Sequence, residues 1–181
     1  MTYHLPSQAA ALDPIVDTQT VCFEDLTVGD RWVSDWRTIT AADVAEFAAL
    51  TGDHDPLHQS DCVAPPFGEP VAHGLLGLSV LAGLSTEHPR AATLALVGIS
   101  EWRFEAPIFF GDQVRVVTEV IDVERHGRRA GRVTWRRELV NQDNRIVQRG
   151  DFVSLVATRS RQKSSSPASA TTSQRGTLPA R

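Results

Sequence analysis

The spacing of hydrophobic and polar residues changes character several times along the chain. Residues 1–20 show no sustained period, and Pro6 and Pro14 interrupt any short helix, so this stretch reads as a flexible leader. From Arg31 to Thr38 the side chains alternate, with Trp32, Ser34, Trp36 and Thr38 on one side and Val33, Asp35 and Arg37 on the other. That period of two predicts a first strand, entered through the Gly29-Asp30 turn. Thr40 then stands where a helix cap belongs, before residues 41–50, in which Val44, Phe47 and Leu50 recur at helical spacing. Asp43 suits the positive end of that helix. Thr51-Gly52 ends it, and Pro56, Pro65, Pro66 and Pro70 keep Asp53 to Pro70 a loop.

From Val71 to Thr86 the chain is apolar on nearly every face and rich in small residues, which predicts a helix buried inside a fold. The rest favours β structure: Thr93 to Phe104, Gln113 to Arg125, Arg132 to Asn141 and Ile146 to Thr158, separated by turns at Gly111-Asp112, His126-Gly127 and Gln142-Asp143-Asn144. One buried helix and a long antiparallel meander predict an α+β fold whose sheet curls around the helix; a helical layer on a flat sheet is the alternative. The expected division is a leader over 1–20, one domain over 21–160, and a disordered Ser-, Ala- and Thr-rich tail over 161–181. Sheet edges left open by such a domain predict completion by a second copy.

Composition narrows the function classes. At 181 residues, with 41% hydrophobic and 22% charged residues, the chain fits one globular domain. The longest apolar stretch, Leu75 to Leu84, is too short to cross a bilayer, which needs about 20 residues. No Lys or Arg precedes a hydrophobic region in Met1 to Asp13, so no secretory signal is expected, and a cytoplasmic location is. The tail carries four basic residues and no acid, leaving 14 basic against 22 acidic residues, a net of −8, in the remainder. A body that acidic is a poor nucleic-acid binder. Cys22 and Cys62 are too few for a disulfide framework and read as buried or half-buried thiols.

The chemistry concentrates in Asp53-His54-Asp55-Pro56-Leu57-His58, two acids and two histidines in six positions. Pro56 restrains the chain between Asp53 and His58, so both side chains can converge on one water as a general acid/base pair. The plainer alternative is that Asp53 and Asp55 only cap turns. His54, His58 and Cys62 are spaced four apart, but Pro56 argues against the helix that would gather them, so no metal is expected. Further on, Phe67 to Leu76 leads into the buried helix through His73-Gly74. Free N–H groups at that helix start could form an oxyanion hole, or the glycines could serve packing alone.

The segment Phe47 to His58, then Phe67 to Leu76, then Pro107-Ile108-Phe109-Phe110-Gly111-Asp112-Gln113-Val114, resembles the MaoC-like dehydratases, the (R)-specific enoyl-CoA hydratases of hot-dog fold. The similarity runs from about Val21 to Thr158. It implies a single hot-dog domain, an antiparallel sheet wrapped around a central helix, in a homodimer or a hot-dog heterodimer. It implies a catalytic Asp53/His58 pair, with the Gly74 amide binding the thioester oxygen; Asp55 and His73 are candidate modulators of that site. The implied reaction is reversible syn addition of water to a trans-2-enoyl thioester, giving a 3-hydroxyacyl thioester. Coenzyme A or a carrier-protein phosphopantetheine enters as part of the substrate, and no separate cofactor is expected. A hot-dog thioesterase and a non-catalytic acyl-binding or partner subunit are the rival readings.

The family most often has Asn where this chain has Asp55. An amide donates and accepts whereas an ionised carboxylate only accepts, so Asp55 is expected to modulate the pH optimum, upward if it lies close to the pair. Ser79 lies where the family's hydratases can carry a Ser along the central helix, and no role is assigned to it.

Overall fold

The computed structural model describes residues 20–61 and 66–160. The expected tail and all of the expected leader but Thr20 lie outside the described residues, as does Cys62. Strands β1 (Arg31–Val33), β2 (Arg37–Thr38), β3 (Thr93–Phe104), β4 (Gln113–His126), β5 (Ala130–Asn141) and β6 (Ile146–Ala157) form one antiparallel sheet ordered β1-β4-β5-β6-β3, with β2 also paired to β4. Among the described residues two α-helices accompany it, α1 (Ala41–Thr51) and α2 (Gly74–Leu84). None is long and apolar enough to cross a membrane.

The expected first strand divides in two. Between β1 and β2 the ladder passes from Val33↔Val117 to Arg37↔Val114, so the first chain carries one residue more than its partner. Ser34 is the physical reason. Its N–H donates to the Val116 carbonyl, and its hydroxyl accepts the Val116 N–H at 2.9 Å, replacing a backbone acceptor with a side-chain one.

Helix α1 forms where its ends are signalled. Thr40 accepts the Asp43 N–H and Asp43 accepts the Thr40 N–H, a reciprocal capping box. These bonds hold the Asp43 carboxyl below its usual range, with Arg37 adding a contact at 2.7 Å. Gly52, at φ 78°, closes the helix in the left-handed conformation that glycine takes without cost.

Helix α2 packs on the face of the sheet where β4 alternates: Val114, Val116, Thr118 and Val120 are buried. Trp135, Leu139, Phe152, Leu76 and Leu81 complete this core. The helix begins at Gly74, three residues later than its apolar run, because Val71 bridges to Phe109 and the Ala72 N–H donates to Ile108. Gln148, buried on β6, donates its amide to the Gly74 carbonyl at 3.0 Å and so clamps the first turn of α2 to the sheet. Helix and sheet meet closely at Gly77, where an added Cβ would fall inside contact distance of Gln148 Nε2 and 2.8 Å from Ile108 Cδ1.

Nothing lies within 4 Å of a Cβ placed on Gly83, one residue before the end of α2. Gly77→Ala is therefore expected to destabilise the fold by about 1–3 kcal/mol through overpacking. Gly83→Ala should stabilise it by about 0.5–1 kcal/mol through helix propensity. Urea denaturation of both variants checks the pair, and equal shifts would refute the packing account.

Candidate active site

The C-terminal turn of α1 delivers the acidic loop. Thr51 donates its hydroxyl to the Phe47 carbonyl and accepts the Asp53 N–H, so the chain leaves Gly52 with Asp53 held against the helix end. Asp53 Oδ1 lies 3.3 Å from the Asp55 N–H, and Asp55 Oδ1 accepts the Leu57 N–H at 2.9 Å. Asp55 thereby caps a single 3-10 turn, Pro56–His58, inside the expected loop. The two carboxylates do brace turns, and that duty occupies only one oxygen of each.

His58, half-buried, is oriented from the other side. Its Nδ1 lies 2.7 Å from the Val71 carbonyl, and the Val71 N–H donates to Leu57. A carbonyl can only accept, so Nδ1 carries the hydrogen, and Nε2 of the neutral ring keeps its lone pair.

His73 ties the two segments together. It is 2% exposed, and its ring stacks on His58 with centroids 3.8 Å apart and 29° between planes. Phe47 of α1 covers it at 5.1 Å. Its Nε2 lies 3.0 Å from the Asp53 backbone carbonyl and 3.9 Å from Asp53 Oδ2. The carbonyl contact assigns the hydrogen to Nε2, and the buried Nδ1 has no hydrogen-bond partner among the described residues.

Asp53, His58 and His73 bring one ligand-type atom each within 4.8 Å of one another. A cation held there would compete with ring nitrogens already bonded to the Val71 and Asp53 carbonyls. His54 contributes its backbone carbonyl to the Gln59 amide.

The His73-Gly74 step opens α2. His73 is the N-cap residue and provides no side-chain cap, and the first helical bond runs from Gly77 N–H to the His73 carbonyl. The N–H groups of the first turn consequently have no acceptor within the helix. A Cβ on Gly74 would lie 2.8 Å from Phe104 Cε1, so a close aromatic approach is one reason for glycine there. A cleft of about 440 Å³ runs from Ala41 and Ala48 of α1 past Asp53, Asp55 and His58 to Phe110. Gly74 does not line it; it adjoins His73, whose ring stacks on His58.

Of the residues singled out from sequence, Asp53, His58 and His73 come together, Gly74 follows His73 at the start of α2, and Asp55 serves the turn that presents His58. Phe47, the Val71 carbonyl and Gln148 complete the setting. Phe47 was legible only as an apolar helix position, and a backbone carbonyl gives no signal in a sequence.

A sheet packed on one helix, with an acid/histidine loop before that helix and a His-Gly step at its start, defines a hot-dog domain. The chain belongs to the MaoC like domain family, whose pattern matches residues 26–142. It is similar to 3-hydroxyacyl-thioester dehydratase Z of Mycobacterium tuberculosis, 36% identical over 96 residues, covering 50% of this chain and 64% of that protein. It is also similar to 3-hydroxybutyryl-CoA dehydratase of Methylorubrum extorquens, 36% identical over 118 residues, covering 63% of this chain and 73% of that one. Among solved structures, the MaoC-like dehydratase from Rhodospirillum rubrum superposes with a TM-score of 0.70 at 28% identity, over 77% of this chain and 98% of that one. The chain covers less than two thirds of the first curated relatives it matches, 29% for protein MaoC of Klebsiella aerogenes and 64% for dehydratase Z.

Long-range 15N–1H correlation spectra should find neutral His58 as the Nδ1–H tautomer and neutral His73 as the Nε2–H tautomer. The reverse assignment at either ring would break the hydrogen-bond account of the site.

Proposed function

We propose that the chain catalyses the reversible hydration of a trans-2-enoyl thioester to a 3-hydroxyacyl thioester, with Asp53 and His58 as its acid/base pair. The observation that carries this reading is the convergence of Asp53, His58 and the His73-Gly74 step in a chain of the MaoC family. Relatives named as dehydratases of hydroxyacyl thioesters support the substrate class.

In the forward sense, a water lies between the Asp53 carboxylate and His58 Nε2. The pair takes one proton from it as its oxygen attacks C3. The C2=C3 electrons move toward the thioester carbonyl, and the negative charge developing on that oxygen is met by the Gly74 N–H. One such donor is worth on the order of 3 kcal/mol. A proton from the pair then reaches C2 on the same face, which completes the syn addition and leaves the pair in its starting state. Asp53 and His58 act as one coupled unit in these transfers.

Coenzyme A, or a carrier-protein phosphopantetheine, is part of the substrate in this reading, and the cytoplasm is the setting it implies. Asp53, Asp55 and Asp61 all line the cleft. That lining repels phosphate, so the phosphates of the carrier lie outside it.

The same reading includes a homodimer. Strand β3 is an outer strand of the sheet, twelve residues long, with Leu96 and Val97 56% and 54% exposed and Leu94 and Ile99 39% and 40%. A long, apolar, unprotected edge is an aggregation hazard unless another strand covers it, and a second copy does so symmetrically.

Asp53→Asn and His58→Ala should each lower kcat by about 10²–10⁴-fold while the circular dichroism spectrum is unchanged, read from the absorbance of the conjugated enoyl thioester. Near wild-type turnover in both variants would remove the mechanism. Sedimentation equilibrium should return a dimer for the wild type and a monomer for Val97→Arg; a wild-type monomer would remove the β3 interface.

A further inference from the structure

A second cavity, of about 360 Å³, opens at the other end of α2, roughly 15 Å from Gly74 at about 1.5 Å of rise per residue. Its apolar walls are Ala82, Pro89, Leu96, Trp135 and Phe152. Arg137 enters it from β5. The guanidinium lies 4.5 Å from the centre of the Phe152 ring and 5.9 Å from that of Trp135.

What distinguishes Arg137 is the absence of a counter-charge. Its sequence neighbour Arg136 points to the opposite face and pairs with Asp151 at 3.1 Å. Among the described residues, no carboxylate lies within 4.0 Å of Arg137, and its buried Nε has no hydrogen-bond partner. Burial alone pushes its pKa down to about 10, with no acid contributing. It therefore remains a cation at neutral pH. A cation that is largely desolvated and unpaired is costly, and an anion brought to it recovers that cost. Ser154 stands in the same lining with its hydroxyl accepting the Trp135 indole N–H at 2.7 Å, which leaves its own hydrogen to donate.

We propose that this cavity recognises an apolar chain that ends in a carboxylate, with Arg137 as the anion-binding group and Phe152, Trp135 and Leu96 as the walls for the chain. The planar guanidinium fork matches a carboxylate in two-pronged fashion. The volume falls at the lower end of small-ligand cavities, about 300–1,000 Å³.

Two sources share this chemistry: the far end of a dicarboxylic acyl thioester being hydrated, and a free carboxylic acid. The first rests on the hydration reading and on the β3 dimer. Strands paired across a two-fold axis in one sheet run antiparallel, so the Thr93 end of β3 faces the Phe104 end of its copy. Thr93 lines the Arg137 cavity and Phe104 touches the Gly74 position. A thioester held at the Gly74 of one copy would then point its acyl chain toward the Arg137 of the other.

The test compares the wild type with Arg137→Met, which keeps the stem against Phe152 without the charge, and with Arg137→Lys, which keeps the charge without the fork. Two enoyl-CoA esters of equal chain length, one ending in methyl and one in carboxylate, are assayed for hydration. The free saturated monocarboxylic and dicarboxylic acids of that length are titrated by calorimetry. Acyl-end recognition predicts at least a tenfold wild-type preference in kcat/KM for the carboxylated ester. That preference should vanish in Arg137→Met and shrink several-fold in Arg137→Lys. Binding of the free acids alone, weakened tenfold or more in Arg137→Met, supports the cavity with the free acid as its ligand.

The proposal is overturned if neither carboxylate is favoured, or if binding is the same in all three proteins. It is overturned also if Arg137→Met dissociates the dimer while the wild type binds no carboxylate, since Arg137 would then pair across the interface. Should the wild type hydrate no enoyl ester, the hydration reading fails by itself, and the calorimetric arm still decides the cavity. Should Arg137→Met not fold, the Arg137→Lys loss decides.

Discussion

The arrangement of the site depends on the burial of one imidazole. His73 has almost no exposed surface, and its ring meets the Asp53 carbonyl at Nε2, the His58 ring against one face and Phe47 nearby. Those contacts join three pieces of chain that have no direct ladder between them, the end of α1, the 3-10 turn and the start of α2. A buried polar ring held by a hydrogen bond resists displacement because losing that bond leaves a desolvated donor behind. His73 is thus a positioning residue by its contacts, whatever else its neighbours do chemically.

A second constraint sets where that imidazole stands. The sheet can approach α2 closely only because Gly77 has no side chain, and Gln148 uses the space to reach the Gly74 carbonyl. The position of the His-Gly step relative to the acidic loop is therefore inherited from packing in the core, several residues away from any reacting group. Among the described residues, the buried Nδ1 of His73 and Oε1 of Gln148 have no hydrogen-bond partner. A polar junction so tightly enclosed favours one geometry over many.

Local signals explain what was legible in the chain beforehand. Thr40 with Asp43, and Gly52 at a positive φ, mark α1 within a residue because caps act over three or four positions. The four long strands follow from alternation and turns, and Asp53, His58, His73 and Gly74 stood out by residue type and spacing. What was hidden depends on distant partners. Ser34 breaks the first strand only because Val116, 82 residues away, donates to its hydroxyl. Val71 leaves the apolar run of α2 only because Ile108 and Phe109 offer backbone partners. Nothing within strand β5 marks Arg137, whose setting comes from Phe152 on β6. Asp55 was expected near the acid/base pair as a charge, and its visible duty is to cap the turn that carries His58.

The order of the sheet has a consequence for how the chain emerges during synthesis. Strand β3 precedes β4, β5 and β6 in sequence, yet its only partner among the described strands is β6. At roughly 5–20 residues per second, the interval between completing β3 and completing β6 lasts some seconds. Throughout that time Leu94, Leu96, Val97 and Ile99 lack the strand beside them. A nascent chain in that condition is a natural client for a holding chaperone.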